Sequence, residues 1–138
     1  MRTDPELATR LRLALARSAR RLRQESATGL SPSLNAALAT VERHGPLTPS
    51  ELAARERVRR PSITRIAARL EELGLVARAA DPGDRRSSLI SVTPAGRELL
   101  AASATRKDAF LSQRLEALGL EDRATLERAA ELLEGLLE

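Results

Sequence analysis

The stretch Thr48-Pro49-Ser50-Glu51 limits what this chain can fold into more than any other four residues. Threonine as N-cap, proline next and glutamate at the third helical position form a capping box, which fixes where a helix starts. That helix covers roughly residues 49–56 and is short. Another starts around Arg60-Pro61, with Ile63, Ile66, Ala67, Leu70 and Leu73 as its apolar stripe and Gly74 as its carboxyl cap. Thr64, Arg65, Ala68 and Glu72 lie opposite that stripe, and Ser62 and Arg69 lie on its flanks. Residues 75–78 and 89–92 read as short strands bracketing Asp81-Pro82-Gly83-Asp84 as a turn. Two helices joined by a few residues make a helix-turn-helix, and a hairpin directly behind the second makes it a winged one.

The rest of the chain is helical. Leu7, Leu11, Leu15 and Leu22 recur at helical spacing between Arg10, Arg12, Arg17, Arg20 and Arg21, giving an amphipathic first helix that ends near Thr28-Gly29. Ser31-Pro32 starts a second, with Leu34, Ala37, Leu38 and Val41 on one face, and His44-Gly45-Pro46 stops it. After the hairpin, Thr93-Pro94 opens a long helix whose apolar positions are Leu99, Leu100, Phe110, Leu111, Leu115 and Leu118. A break at Gly119 leads to a last helix with Leu126, Ala129, Leu133 and Leu136, its stripe broadened by Leu132 and Leu137. The expected class is mainly α, an α+β winged helix.

Charge and composition narrow the function. Residues 1–42 carry seven basic and four acidic groups, residues 43–97 eleven and six, and residues 98–138 five and nine. A basic middle beside an acidic tail suits a polyanion met by one region only. With no cysteine or tyrosine, one histidine in a turn and no phosphate-cradling glycine loop, the chain offers no catalytic constellation. Neither a cofactor nor a metal site is expected, since His44 has no thiolate or imidazole companions. Arg2, Asp4 and Glu6 break up the amino terminus, and no apolar run reaches membrane-spanning length, so a cytoplasmic protein with no membrane contact is expected.

Taken together, the chain resembles the MarR family of bacterial transcription regulators along nearly its whole length. The matching residues are His44-Gly45-Pro46-Leu47-Thr48 before Glu51-Leu52-Ala53, then Arg60-Pro61-Ser62-Ile63-Thr64-Arg65. Leu70 to Val76, the hairpin Asp81-Pro82-Gly83-Asp84-Arg85-Arg86-Ser87, Leu89 to Val92, Thr93, Ala95 and Gly96 complete them. The resemblance implies helix, helix, a minimal strand, helix, helix, strand, wing, strand, helix, helix. It also implies a triangular homodimer, with residues 1–30 and 98–138 as dimerisation helices and 31–97 as the DNA-binding domain. Leu7, Leu11, Leu15, Phe110, Leu115, Leu126, Leu133 and Leu136 are the expected interface. Such a dimer would bind a near-palindromic operator, usually to repress, and regulators of this kind often answer to a small-molecule effector, here unidentified.

In a helix-turn-helix the second helix enters the major groove of double-stranded DNA and its first residues meet base edges. Those are Arg60, Ser62, Thr64 and Arg65, with Arg69 on the flank and Arg55, Arg57 and Arg59 facing backbone phosphates. Arg59 stands where the family usually has a capping hydroxyl or aspartate, so this helix start is poorly capped. A hairpin tip is thin enough for the minor groove, whose negative potential favours inserted arginine. Arg85 and Arg86 are the candidates, the resemblance favouring one in the groove and the other bracing the hairpin. Asp84 reads as an internal partner orienting an arginine. Two rival readings are a winged helix used for protein contacts and a non-specific DNA-binding protein.

Overall fold

The computed structural model describes residues 4–137, so Arg2 and Glu138 lie outside it. Its elements are α1 (Pro5–Glu25), α2 (Pro32–His44), α3 (Pro49–Glu56), α4 (Arg60–Glu72), β1 (Val76–Asp81), β2 (Asp84–Val92), α5 (Pro94–Glu116) and α6 (Leu120–Leu136). They fall into two compact units, residues 27–104 and residues 1–26 with 105–138.

In the unit of residues 27–104, local chemistry sets the helix ends. The Thr48 hydroxyl accepts from the Glu51 N–H (3.2 Å), and the Glu51 carboxylate accepts from the Thr48 N–H (3.3 Å), closing the expected capping box. Two helices then end in the same way. After α4, the Gly74 N–H reaches the Glu71 carbonyl and the Leu75 N–H reaches that of Leu70, with Gly74 left-handed at φ 74°. After α3, the Arg57 and Val58 N–H groups reach the Ala54 and Ala53 carbonyls, but the left-handed residue is Arg57, at φ 55°. A side chain there crowds the following carbonyl, a cost glycine avoids. Arg57→Gly is therefore expected to stabilise the protein by about 1 kcal/mol, read from the urea-denaturation midpoint. A midpoint that stays put or falls would show that the Arg57 side chain contributes to folding.

The core joins Ala37, Leu38 and Val41 of α2, Leu52 and Ala53 of α3 and Ile63, Ala67 and Leu70 of α4 to Leu47, Leu75, Val76 and Ile90. Ile66 is only partly buried, and Leu73, expected in the stripe, is 40% exposed. The reason is that α4 stops at Glu72, so Leu73 sits in the cap and turns off the buried face.

The hairpin departs from the expected strands. β1 and β2 run on to Asp81 and from Asp84, leaving only Pro82-Gly83 as the turn. They pair antiparallel from Val76 with Val92 to Ala80 with Ser88, and the next pair is Asp81 with Asp84. Arg85, Arg86 and Ser87 thus stand in a bulge with no residues opposite them on β1. The strand expected between α2 and α3 is a single antiparallel bridge, Leu47 with Ile90. It cannot grow, because Pro46 has no N–H and the Thr48 N–H is taken by Glu51. Past the hairpin, the Thr93 hydroxyl donates to the Gly74 carbonyl (2.6 Å) and accepts from the Gly96 N–H (3.2 Å).

The unit of residues 1–26 and 105–138 is different in kind. Neither α1 nor α6 buries a single residue, and the first helix ends at Glu25, short of the expected Thr28-Gly29. Leu7, Leu11, Leu15, Leu115, Leu126 and Leu136 are all exposed, Leu136 by 64%, while Phe110 and Leu133 are half-buried. The Arg21 and Arg114 guanidinium groups both approach the Phe110 ring, 5.2 and 4.8 Å from its centroid.

Candidate nucleic-acid interface

Every residue expected to touch DNA belongs to the unit of residues 27–104. Burial of Ile63, Ala67 and Leu70 turns the opposite face of α4 outward, and Thr64, Arg65, Ala68 and Glu72 lie exposed on it. Arg65 has no ion-pair or hydrogen-bond partner among the described residues, so its five donors are free for a bidentate contact. The Thr64 hydroxyl donates to the Arg60 carbonyl (3.0 Å) and keeps its lone pairs for a donor outside the protein. Ser62 is half-buried beside it.

The remaining arginines divide into free and engaged. Arg59 stands at the N-cap of α4 without a side-chain cap bond, and its guanidinium has no hydrogen-bond or ion-pair partner among the described residues. Arg60 Nη1 donates to Ser50 Oγ at 2.6 Å, tying the start of α4 to the start of α3. Arg69 pairs with Glu72 at 3.1 Å, and Arg78 of β1 pairs with Glu71 at 2.9 Å. The two adjacent glutamates point apart, as their helical spacing demands, and each holds a different arginine. The Glu71–Arg78 pair fastens the first wing strand to α4.

At the wing, Arg85 and Arg86 are exposed in the bulge and unpaired among the described residues. Asp84 does not bond a guanidinium. Its Oδ1 accepts from the Arg86 backbone N–H (2.9 Å), and Asp81 Oδ1 accepts from the Gly83 N–H (2.9 Å). Two backbone donors of the tip are thereby satisfied by aspartate side chains close in the chain, which hold the turn and the bulge in shape. This leaves both wing guanidinium groups free to reach outward.

Three participants escaped sequence reasoning: Ser50, the Glu71–Arg78 tie and the bulge itself. Each is a contact or register between elements, and only Arg78, a charge inside an apolar strand pattern, gave any hint. No helix among the described residues is long and apolar enough to cross a membrane.

Comparison with known proteins supplies the class. Residues 30–88 match the sequence model of the MarR family. An HTH-type transcriptional regulator of Mycobacterium tuberculosis is 40% identical over 137 residues, spanning 99% of this chain and 96% of its own. A MarR family protein from Bacillus stearothermophilus shares the fold with TM-score 0.80 at 25% identity, over 94% of this chain and 91% of that one. An S. aureus MepR mutant solved bound to an oligodeoxyribonucleotide is alike in fold, with TM-score 0.72 at 18% identity over 96% and 98% of the two chains. The match covers nearly the full length of that relative, both helices of the helix-turn-helix, the first wing strand and the hairpin tip lie within residues 30–88, and so the chain belongs to the MarR family and is a transcriptional regulator, not an enzyme.

Proposed function

We propose that this protein is a homodimeric repressor of a near-palindromic operator in double-stranded DNA. Each protomer would lay α4 in the major groove, through Arg59, Arg60, Ser62, Thr64 and Arg65. Its wing would enter the neighbouring minor groove through Arg85 and Arg86, with Asp84 keeping the bulge in shape. The observation that carries this reading is Arg65 on the outer face of α4, in one compact unit with Arg85 and Arg86 in a bulged wing, all three exposed and without a partner among the described residues. That face bears Thr64, Arg65 and Glu72 where a protein-binding helix would bear apolar side chains, which disfavours the protein-contact alternative.

The dimer rests on the other unit. Two helices that bury nothing, with leucines exposed along both, leave apolar surface that a second copy would cover. Charge agrees, since α1 carries six basic and two acidic side chains and α6 two basic and five acidic. Repression needs no further surface, because a dimer clamped on its operator excludes polymerase by occupancy. Release by a small-molecule effector belongs to the same reading, as the family resemblance implies, and an open hollow lined by Arg17, Ser18, Arg21, Leu22, Phe110 and Leu111 is one place it could lodge.

Selection of bound duplexes from a random pool tests the proposal. The expected product is two half-sites with centres about one helical turn apart. Arg65→Ala is expected to flatten the preference at one base pair per half-site, losing about 1–3 kcal/mol of discrimination. Recovery of unrelated sequences, all bound equally, would instead make this a non-specific DNA-binding protein.

A further inference from the structure

We infer that Glu72 is a specificity-determining residue, whose carboxylate cancels Arg69 and keeps the carboxyl half of α4 from holding DNA non-specifically. The inference rests on the reading of α4 as the groove-facing helix. Thr64, Ala68 and Glu72 follow one another at four-residue intervals and form a single row on the outer face of α4. The row starts with a hydroxyl beside Arg65 and ends, about 12 Å further along the helix, on a carboxylate. Acid at that end of a DNA-facing row is unfavourable against phosphate, so its presence asks for a reason.

The charges around it supply one. Arg69 Nη1 lies 3.1 Å from Glu72 Oε2, and Glu71, Glu72 and Arg78 line one groove with Thr64 and Ala68. From residue 66 to residue 78 the helix end and first strand thus hold two arginines and two glutamates, each in an ion pair. From residue 55 to residue 65 there are five arginines, Arg55, Arg57, Arg59, Arg60 and Arg65, against Glu56 alone. Glu56 moreover accepts from the Thr40 hydroxyl at 2.8 Å. The basic charge of the helix-turn-helix is therefore concentrated at the end that reads bases and cancelled at the end that does not.

The Arg69–Glu72 pair is mostly exposed, at 57% and 68%, so it is not a strong bond and a phosphate could compete for Arg69. What the phosphate meets is the sum of the pair, which is zero. Binding to any DNA sequence scales with the number of phosphates neutralised, whereas discrimination comes from base contacts. Cancelling one cation that reads no base lowers the grip on random DNA and leaves the operator contacts intact, which widens the gap between them.

Glu72→Gln keeps the side-chain shape and removes the charge. Binding to a random-sequence duplex, measured against salt concentration, is expected to tighten several-fold, with the log–log slope steeper by about 0.9 for the added cation. The double variant Arg69→Ala/Glu72→Gln is expected to return to the wild-type slope. An unchanged slope for Glu72→Gln overturns the inference, and so does a double variant shallower than wild type, since Arg69 would then already be holding phosphate. Arg65→Ala, run on a selected operator, separates the two ideas. If it loses base preference while Glu72→Gln changes nothing, only the role of Glu72 is wrong; if it too changes nothing, the groove-facing reading of α4 falls and takes this inference with it.

Discussion

Replacing Ile63 with alanine is expected to cost about 2–5 kcal/mol of folding stability and to remove operator binding with it. Ile63 has no exposed surface and sits in the core with Leu38, Leu52, Leu70 and Ile90. Its chain neighbours are Ser62 and Thr64, so the residue that anchors α4 stands between two that are proposed to face DNA. The start of α4 has no side-chain cap, and a helix of 13 residues is marginal in water without packing. Burial of Ile63 therefore supplies both the position and much of the order of the outer face of α4. Ile63→Val, which deletes one methylene-sized group, is expected to cost only about 0.5–1.5 kcal/mol and to keep binding. Urea denaturation gives both numbers. An alanine variant losing less than about 1 kcal/mol would mean that α4 is not held by this core.

The second large effect is at the wing. Arg85→Ala/Arg86→Ala is expected to weaken operator binding and make its log–log salt slope shallower by up to about 1.8, two cations' worth. The loss should be greatest on operators with A·T-rich flanks, where the minor groove narrows and its negative potential deepens. Folding should hardly change, by less than about 0.5 kcal/mol, because exposed side chains are removed. The bulge that presents them is kept by the Asp84 and Asp81 carboxylates on backbone N–H groups, which the variant retains. If only one of the two arginines enters the groove, the two single variants will differ, and one will account for most of the loss.

What the sequence disclosed was whatever depends on residues close in the chain. The capping box, the helical stripe Ile63-Ala67-Leu70, the Schellman glycine at Gly74 and the hairpin turn are written within a few residues each. Leu73 was misplaced because periodicity carries a stripe past the point where a cap stops the helix. The same short range hid the partners of the charged residues. Arg60 with Ser50 and Arg78 with Glu71 join separate elements, and nothing in either local pattern names the other. Arg69 was expected among the DNA contacts from its place on the wheel; its pairing with Glu72 shows only in the folded helix. Asp84 was expected to be an internal partner orienting an arginine, and the bond it makes is to the Arg86 backbone N–H, a detail the sequence does not specify. The pairing register that turns residues 85–87 into a bulge belongs to both strands at once, so neither strand alone contains it.

The central claim is that α4 and the wing of one protomer grip neighbouring grooves of the same duplex. Hydroxyl-radical footprinting on a selected operator tests it most directly, because the cleavage reports the minor-groove face of each sugar. Wild-type protein should protect a minor-groove patch about half a helical turn to the outer side of each half-site centre, and Arg85→Ala/Arg86→Ala should lose those patches while the half-sites remain bound. Outer patches that survive the double substitution, or that never appear, would contradict a wing seated in the groove beside α4.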